Sequence, residues 1–538
     1  EKDLNGAHDG DKVVINRIEW KSPNLNPEGR VKEILGKSGI YDTEISALAR
    51  EFGLPFVFPK KVIKEVDYIS SEITNEDIEN RLDLRDKNVF TIDPEDAKDF
   101  DDAVSIEFLE NENFLIGVHI ADVSHYIRFN SNLDSEALKR GNSVYFVGKV
   151  IPMLPEKLSN NICSLVPNED RLTYSVIAEI TKSGKVISTQ IKKSIINSRR
   201  RFTYDEAQDI IDKKSGDFFN ELIILNDLAG TLRNKRLSKG SINFITPEVK
   251  FLLDESGFPV TVEKKIVKES NMLIEEYMLL ANQIVARHIG GKKETTLPFV
   301  YRVHDLPDRE KMLEFANFVK SLGYSFDITS ANKTKQFQKL LEEVKGSEEE
   351  DLINEVAIRT MAKAVYSTDN IGHYGLGFKY YTHFTSPIRR YSDLVTHRLL
   401  YSYMETGSQN YYQNNELEEI CEHISGTERK AMDAERTSVK LKQVEYLSKH
   451  LGEEFHGVIS GVVHFGMFIE LTQNLSEGLV RLSDLEDDFY IYDEKNYSLI
   501  GRSTKKRYRL GDKVTVKLIR VDKERREVDF QIIQENYA

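Results

Sequence analysis

The stretch Thr91-Ile-Asp-Pro-Glu-Asp-Ala-Lys-Asp-Phe-Asp-Asp102 gathers six carboxylates, Asp93, Glu95, Asp96, Asp99, Asp101 and Asp102, around one lysine, Lys98. Apolar, strand-like runs flank it, Val89-Phe-Thr-Ile92 before and Ala103-Val-Ser-Ile106 after. Carboxylates this crowded repel one another and need either open solvent or a cation. A run of acids is ordinarily a solvated loop, but one pinned between two buried strands cannot splay its charges. An EF-hand calcium loop is excluded by position. Counting from Asp93, the sixth residue is Lys98 where that loop needs Gly, and the twelfth is Val104 where it needs Glu. Magnesium suits the pattern better, because it takes few carboxylates and keeps positions open for water and phosphate. Two such ions about 3.5–4 Å apart can activate a water and stabilise the leaving oxygen of a phosphodiester.

Working outward, 538 residues are enough for three or more domains, and 40% hydrophobic with 30% charged residues describes a globular chain. No apolar run is long enough to span a bilayer, and the start has no signal-peptide pattern. Two cysteines, Cys163 and Cys421, lack metal-ligand spacing and point to a reducing, cytoplasmic setting. The net charge of −14 argues against nucleic-acid binding in bulk, but its distribution does not. Residues 501–526 hold eleven Lys/Arg against three acids, Lys192 to Arg201 five against none, and Arg233, Lys235, Arg236 and Lys239 follow. Such tracts can guide a polyanion over a protein that is otherwise repulsive to it.

Periodicity sketches the rest. Lys12–Ile18 and Gly29–Gly36 read as two strands, and Ile40–Phe52 as a helix before a proline-bounded linker. Phe114–Ala121, Ser175–Thr181 and Val186–Ser194 read as strands. His119, Asp122 and His125 are local hydrogen-bonding residues on this reading, since Mg²⁺ prefers oxygen. Leu133–Arg140 reads as a helix stopped by Gly141. Tyr204–Ile211, Phe218–Ser238, Ser270–Ile289, Arg309–Leu322 and Leu352–Tyr366 have helical spacing. In Thr385-Ser-Pro-Ile-Arg-Arg-Tyr-Ser-Asp393, Ser386 and Pro387 read as N-cap and first helical residue. Arg389 and Arg390 then fall in the first turn, an unfavourable place for cations unless an anion binds there. Residues 414–451 read as one long charged helix. After Gly452 the texture turns to strands, with Phe465 and Phe468 as candidate stacking platforms beside His464, Arg481 and Arg520.

The acidic stretch, together with Gly141-Asn-Ser-Val-Tyr145, Ile151-Pro-Met-Leu-Pro155 and His383-Phe-Thr-Ser-Pro-Ile-Arg-Arg-Tyr391, resembles the signature of the RNase II/RNase R exoribonucleases, more closely the RNase R branch. The resemblance covers nearly the whole chain. It implies an α+β multidomain protein. A partial cold-shock (OB-type) β segment would span 1–37, a linker with short helices 38–80, and a mixed α/β RNB catalytic domain 81–404. A helical extension at 405–451 and an S1 domain, an OB-fold β-barrel, at 452–538 would complete it. The implied activity is Mg²⁺-dependent, or Mn²⁺ in its place: hydrolytic 3′→5′ digestion of RNA with a single-stranded 3′ end to nucleoside 5′-monophosphates, by a cytoplasmic monomer not bound to membranes. Carried over residue by residue, Asp93, Asp99, Asp101 and Asp102 would hold metal, with Asp101, Arg389 and Glu435 in catalysis. Tyr145 and Phe244 match the aromatics that clamp the 3′ end, Tyr204 and Glu275 those that read ribose, and Arg390, Phe465 and Phe468 would touch RNA. Glu276 competes with Glu275. Two other classes compete with this reading. The presence of all four aspartates counts against an RNA-binding protein on an inactive nuclease scaffold, and their clustering counts against a nuclease with scattered acidic motifs.

Overall fold

The computed structural model describes residues 3–533 except 23, 245–246, 292–296, 331–332, 348, 407–411 and 495–496, so the extreme ends of the expected first and last segments lie outside the described residues. The chain opens on an antiparallel hairpin of β1 (Asp11–Glu19) and β2 (Glu28–Lys37), followed by α1 (Tyr41–Glu51), α2 (Lys60–Asp67) and α3 (Asn75–Glu79). The proline-bounded linker is therefore short, with Pro59 as the N-cap of α2.

The runs flanking the acids are β3 (Leu82–Asp93) and β4 (Asp102–Phe108). With β5 (Phe114–Ala121), the short helix α4 (Val123–Tyr126) and α5 (Asn132–Arg140), they lead to a small hairpin of β6 (Val144–Phe146) and β7 (Lys149–Ile151). Strands β8 (Asp170–Ile180) and β9 (Val186–Thr203) complete a closed barrel of order β3-β4-β5-β8-β9. Closure comes from parallel pairing of β9 with β3, with Thr91 opposite Arg201 and Asp93 opposite Thr203. Phe90, Ile92, Val104, Val118, Ile120, Val176 and Phe202 fill its apolar core. A thread of hydrogen bonds lies beside them: His119 bonds Ser105 at 2.9 Å and Ser175 at 2.7 Å, and Ser175 bonds Ser194. Gly117 is required there, because a Cβ would sit 2.4 Å from Ser105 Oγ and 2.5 Å from His119 Nε2. Asp122 is buried between Arg81 at 2.7 Å and Lys193 at 2.9 Å, and His125 meets Asp77. All three residues of this set are thus engaged locally.

Helices α6 (Tyr204–Lys213), α7 (Phe219–Ser238) and, after the hairpin of β10 (Val249–Leu253) and β11 (Pro259–Lys264), α8 (Glu269–Gly290) cover the barrel. Next come β12 (Tyr301–Val303), α9 (Arg309–Ser321), α10 (Lys333–Glu343) and α11 (Glu350–Thr360). The helix expected over Leu352–Tyr366 stops at Thr360. Val365–Ser367 is β13, antiparallel to β12, and the Tyr366 amide donates to Ser425 Oγ at 2.9 Å. A β-branched and aromatic run with a strand partner leaves the helix. Helix α12 (Tyr391–Tyr401) is followed by the 34-residue α13 (Asn414–Leu447).

The second closed barrel joins β14 (Glu454–Val463), β15 (Gly466–Leu471), β16 (Glu477–Arg481), β20 (Lys513–Asp522) and β21 (Glu527–Ile532). Between β16 and β20 lies a three-stranded sheet of β17 (Tyr490–Asp493), β18 (Ser498–Gly501) and β19 (Arg507–Arg509). Val444 and Leu447 at the end of α13 belong to this barrel's core, so the helix ties the two bodies together. Tyr497 packs edge-on against Phe318 of α9 at 6.0 Å, and Leu510 joins the α9–α11 cluster. Among the described residues no helix is long and apolar enough to cross a membrane.

Candidate active site

Because β3 ends at Asp93 and β4 starts at Asp102, the acidic stretch is a loop folded back over one end of the barrel. Glu95 and Asp96 are exposed, whereas Asp93 and Asp101 are only 9% and 3% exposed. Burial raises the Asp93 carboxyl to about 7, and the neighbouring Asp102 adds to the rise. Burial raises Asp102 to about 6, against the pull of Arg389 and Arg390. Asp99 is also raised, and Asp101 well above the ordinary range, both by burial first. Four carboxylates are therefore held where each resists ionisation unless positive charge is supplied.

Part of that charge comes from the second motif. Arg389 Nε lies 3.4 Å from Asp101 Oδ2, and Asp101 Oδ1 accepts the Ile388 amide at 2.8 Å. This segment corrects the helix start expected at Ser386–Pro387. Residues 387–389 form a turn, and Arg390 is the N-cap of α12 in extended conformation. The reason is tertiary: Arg390 bridges Asn142, the Ser143 amide donates to the Arg389 carbonyl, and the Tyr391 amide donates to that of Gly141. Gly141 has φ 70° and lies against Thr427, where no side chain would fit. The two arginines consequently differ. Arg389 is 42% exposed and faces the aspartates, while Arg390 is mostly buried and donates to Asp393 at 2.8 Å.

Tyr145, on β6, donates its hydroxyl to Asp99 Oδ2 at 3.3 Å. Tyr204 opens α6 directly after β9; burial raises its hydroxyl, and the charges of Asp102 and Asp93 raise it further. Glu276 is buried against Arg236, whose Nη1 also donates to Ser241 Oγ at 2.6 Å. The side chain of Glu275 is 59% exposed and 4.0 Å from Arg236. The geometry therefore separates two acids that sequence leaves equivalent, and Arg236, which sequence places only in a basic tract, does the separating. Phe244 contacts Phe337 at 6.4 Å in the α9–α11 cluster, not Tyr145. Glu435 lies on α13 beside Glu248 and Lys265 instead of against the aspartates, and burial raises its carboxyl. Phe465, 46% exposed, and Phe468 form an edge-to-face pair at 6.3 Å on the second barrel, with His464 5.1 Å from Phe465.

The basic tracts are less open than their composition suggests. Lys193 pairs with Asp122, and Arg200 with Asp217 at 2.5 Å. Arg481 and Arg520 share Asp529, and Arg526 reaches Glu51 at 2.7 Å.

Whether the loop suits a divalent cation can be judged from its oxygens. Among the described residues no three His, Cys, Asp or Glu side chains already form a metal cage. Yet Asp93 Oδ2 and Asp101 Oδ2 are buried without a hydrogen bond, Asp101 Oδ2 having only the 3.4 Å approach of Arg389, and a bound cation would satisfy both. An all-oxygen donor set suits Mg²⁺ or Mn²⁺.

The chain resembles known proteins over its whole length. A family model of the RNB domain matches residues 81–406, one of the cold shock domain 1–59, and one of the S1 RNA binding domain 449–533. Ribonuclease R of Thermotoga maritima is 41% identical over 553 residues, covering 99% of this chain and 77% of that protein. The structure of Mycoplasma genitalium RNase R in complex with ribose methylated single-stranded RNA aligns with TM-score 0.91 and 30% identity, covering 98% of this chain and 84% of the other. The same protein in complex with double-stranded RNA aligns with TM-score 0.87 and 28% identity, covering 99% and 90%.

Proposed function

The chain belongs to the ribonuclease R family of RNB-domain 3′→5′ exoribonucleases, and from that premise we propose that it hydrolyses RNA with a single-stranded 3′ end to nucleoside 5′-monophosphates with Mg²⁺, or Mn²⁺ in its place. The observation that carries the reading is the cluster of aspartates beside Arg389 in which Asp93 Oδ2 and Asp101 Oδ2 are buried without a hydrogen bond. Asp93, Asp99, Asp101 and Asp102 would hold the cation. Bound there, it supplies Lewis-acid polarisation of the phosphate and a water of lowered pKa.

The chain's own residues do the rest. The Ile388 amide holds one oxygen of Asp101, so the other stays turned toward the site. Arg389, 42% exposed and facing the aspartates, neutralises the phosphate as charge grows on it. Tyr145 presents its ring to the terminal base while its hydroxyl orients Asp99. Phe244 would face it across the base, with no direct contact needed between two rings that sandwich a third. Tyr204 and the exposed Glu275 read the terminal ribose, and Glu435 would join Asp101 and Arg389 in catalysis. Phe465 and Phe468 stack bases of the incoming strand, and Arg390 stiffens the Arg389 turn through Asp393. In this reading the protein works as a cytoplasmic monomer, with segments 1–37, 38–80, 81–404, 405–451 and 452–538 as its working parts.

Digestion of end-labelled RNA tests the proposal. With Mg²⁺, 3′-labelled RNA should release labelled mononucleotide bearing a 5′-phosphate from the first turnover, and 5′-labelled RNA should shorten progressively. EDTA should abolish both. Internal cuts, or binding of RNA with no cleavage in Mg²⁺ or Mn²⁺, would overturn it.

A further inference from the structure

Between the end of β3 and the start of β4 the backbone runs outside the strands, held at its exit by the Leu165 amide on the Phe100 carbonyl at 3.0 Å and the Ala121 amide on the Asp101 carbonyl at 2.9 Å, and two side chains from outside add to these bonds. Arg201 stands on β9 opposite Thr91, just short of where the loop begins. Its Nη2 donates to the carbonyls of Pro94 and of Glu95, the latter at 2.8 Å. Its guanidinium also lies over the Phe100 ring, 5.6 Å from the centroid, so one side chain joins the loop's entry to its exit. Ser164 secures the exit. It is fully buried, its Oγ accepts the Phe100 amide at 2.9 Å, and it donates to the Lys98 carbonyl at 2.9 Å. Its own carbonyl is held by Arg171 Nε at 2.9 Å.

We infer that Arg201, supported by Ser164, is a positioning residue that fixes the acidic loop so that its four aspartates stay within reach of one cation. The inference rests on the metal-site reading proposed above. Mutual repulsion among these carboxylates favours an open loop, and an open loop must be re-ordered whenever a cation binds, which lowers affinity. Arg201 opposes the opening with hydrogen bonds to the backbone and with a positive charge beside Asp93. A guanidinium suits the place because one of its nitrogens reaches both carbonyls while its flat face covers an aromatic ring. Composition placed Arg201 in a basic tract facing a polyanion. The structure turns it inward onto the protein's own backbone.

The test uses the full chain and Mn²⁺ alone as probe, with affinity read by calorimetry for the parent, Arg201→Gln, Arg201→Lys and Ser164→Ala. RNA binding in EDTA and kcat and KM against Mn²⁺ concentration are measured alongside. Arg201→Gln should bind Mn²⁺ about 10–100-fold more weakly. Arg201→Lys and Ser164→Ala should lose less. RNA affinity in EDTA should not change, and kcat should recover at high Mn²⁺ with KM for RNA unmoved. An unchanged Mn²⁺ affinity in Arg201→Gln that melts like the parent overturns the inference. So does a loss of RNA affinity in EDTA with Mn²⁺ binding intact, which would make Arg201 a phosphate contact. If Arg201→Gln fails to fold, unchanged Mn²⁺ affinity in both other variants overturns it. A parent that binds no Mn²⁺ refutes the metal site itself, and the role of Arg201 with it.

Discussion

Replacing Asp93 by Asn should stabilise the protein in the absence of metal and remove its response to Mg²⁺. Asp93 is 9% exposed, and its carboxyl rises from 3.8 to about 7, by burial first and by Asp102 second. At about 1.4 kcal/mol per pH unit, that rise corresponds to roughly 4 kcal/mol against the ionised group at pH 8, an upper bound because Asp102 shares it. The sign follows from proton counts. Between about pH 4 and pH 7 the folded state holds this proton and the unfolded state has lost it, so metal-free stability falls as pH rises through that window. Above it the penalty is complete and constant. A cation that binds only the folded state reverses the trend. Thermal melts of parent and Asp93→Asn in EDTA and in Mg²⁺, from pH 5 to 8.5, read these slopes directly. In EDTA the parent should melt lower at pH 8 than at pH 5.5, and the variant should lose much of that slope and melt above the parent at pH 8. Mg²⁺ should raise the parent more than the variant. A variant that melts below the parent in EDTA at pH 8, or an equal Mg²⁺ shift in both, would refute the reasoning.

Four further outcomes follow from the same geometry. Asp101→Asn keeps the acceptor for the Ile388 amide but loses the charge, so cleavage should fall by roughly a thousandfold or more while RNA affinity in EDTA is retained; metal-dependent turnover near the parent rate contradicts this. Glu276→Ala strips Arg236 of its buried partner and should cost about 3–5 kcal/mol of stability, whereas Glu275→Ala should leave the melt unmoved and weaken discrimination between RNA and DNA, a contrast that paired melts and competition digests can check. Tyr145→Ala loses a stacking surface of about 1–3 kcal/mol, felt most on the last few nucleotides, so the terminal fragment on a high-resolution gel should lengthen while long substrates are still cut. Phe465→Ala should weaken binding of long RNA without changing its salt slope, because stacking releases no counterions; a changed slope would show that this face acts through charge.

The acidic loop was legible because everything that defines it is local. Apolar runs on each side give the strands, and six acids between them give a charge density that needs open solvent or a cation. Gly141 was legible for the same reason, as a helix stop with positive φ. Reading failed where a partner from far along the chain decides. Ser386-Pro387 carries a local helix-start signal, and the bridge from Arg390 to Asn142 overrides it by drawing residue 390 into extended backbone. Val365–Ser367 left its expected helix for a strand partner more than sixty residues earlier. Adjacent glutamates on α8 differ only in which one meets Arg236, a matter of helix packing that spacing along one helix cannot decide.

Charge shows the same division. The tract at 501–526 reads as a stripe for phosphates, but Arg520 is shared among Asp522, Glu527 and Asp529, Lys506 pairs with Asp487 at 3.1 Å, and Arg526 reaches Glu51. Acids on β20, β21 and α1 and in the loop before β17 pair with a run that is mostly basic in sequence, so fewer than eleven charges are open to a phosphate backbone. The same segment carries Leu510, buried against the α9–α11 cluster, and follows Tyr497, which packs against Phe318. Its structural weight is therefore in docking the second barrel to the catalytic body. Deleting 452–538 would strip Val444 and Leu447 of their cover and expose that docking surface, so its effect on RNA binding would mix grip with stability. Point changes at Phe465 and Phe468, on the face away from that core, isolate the grip.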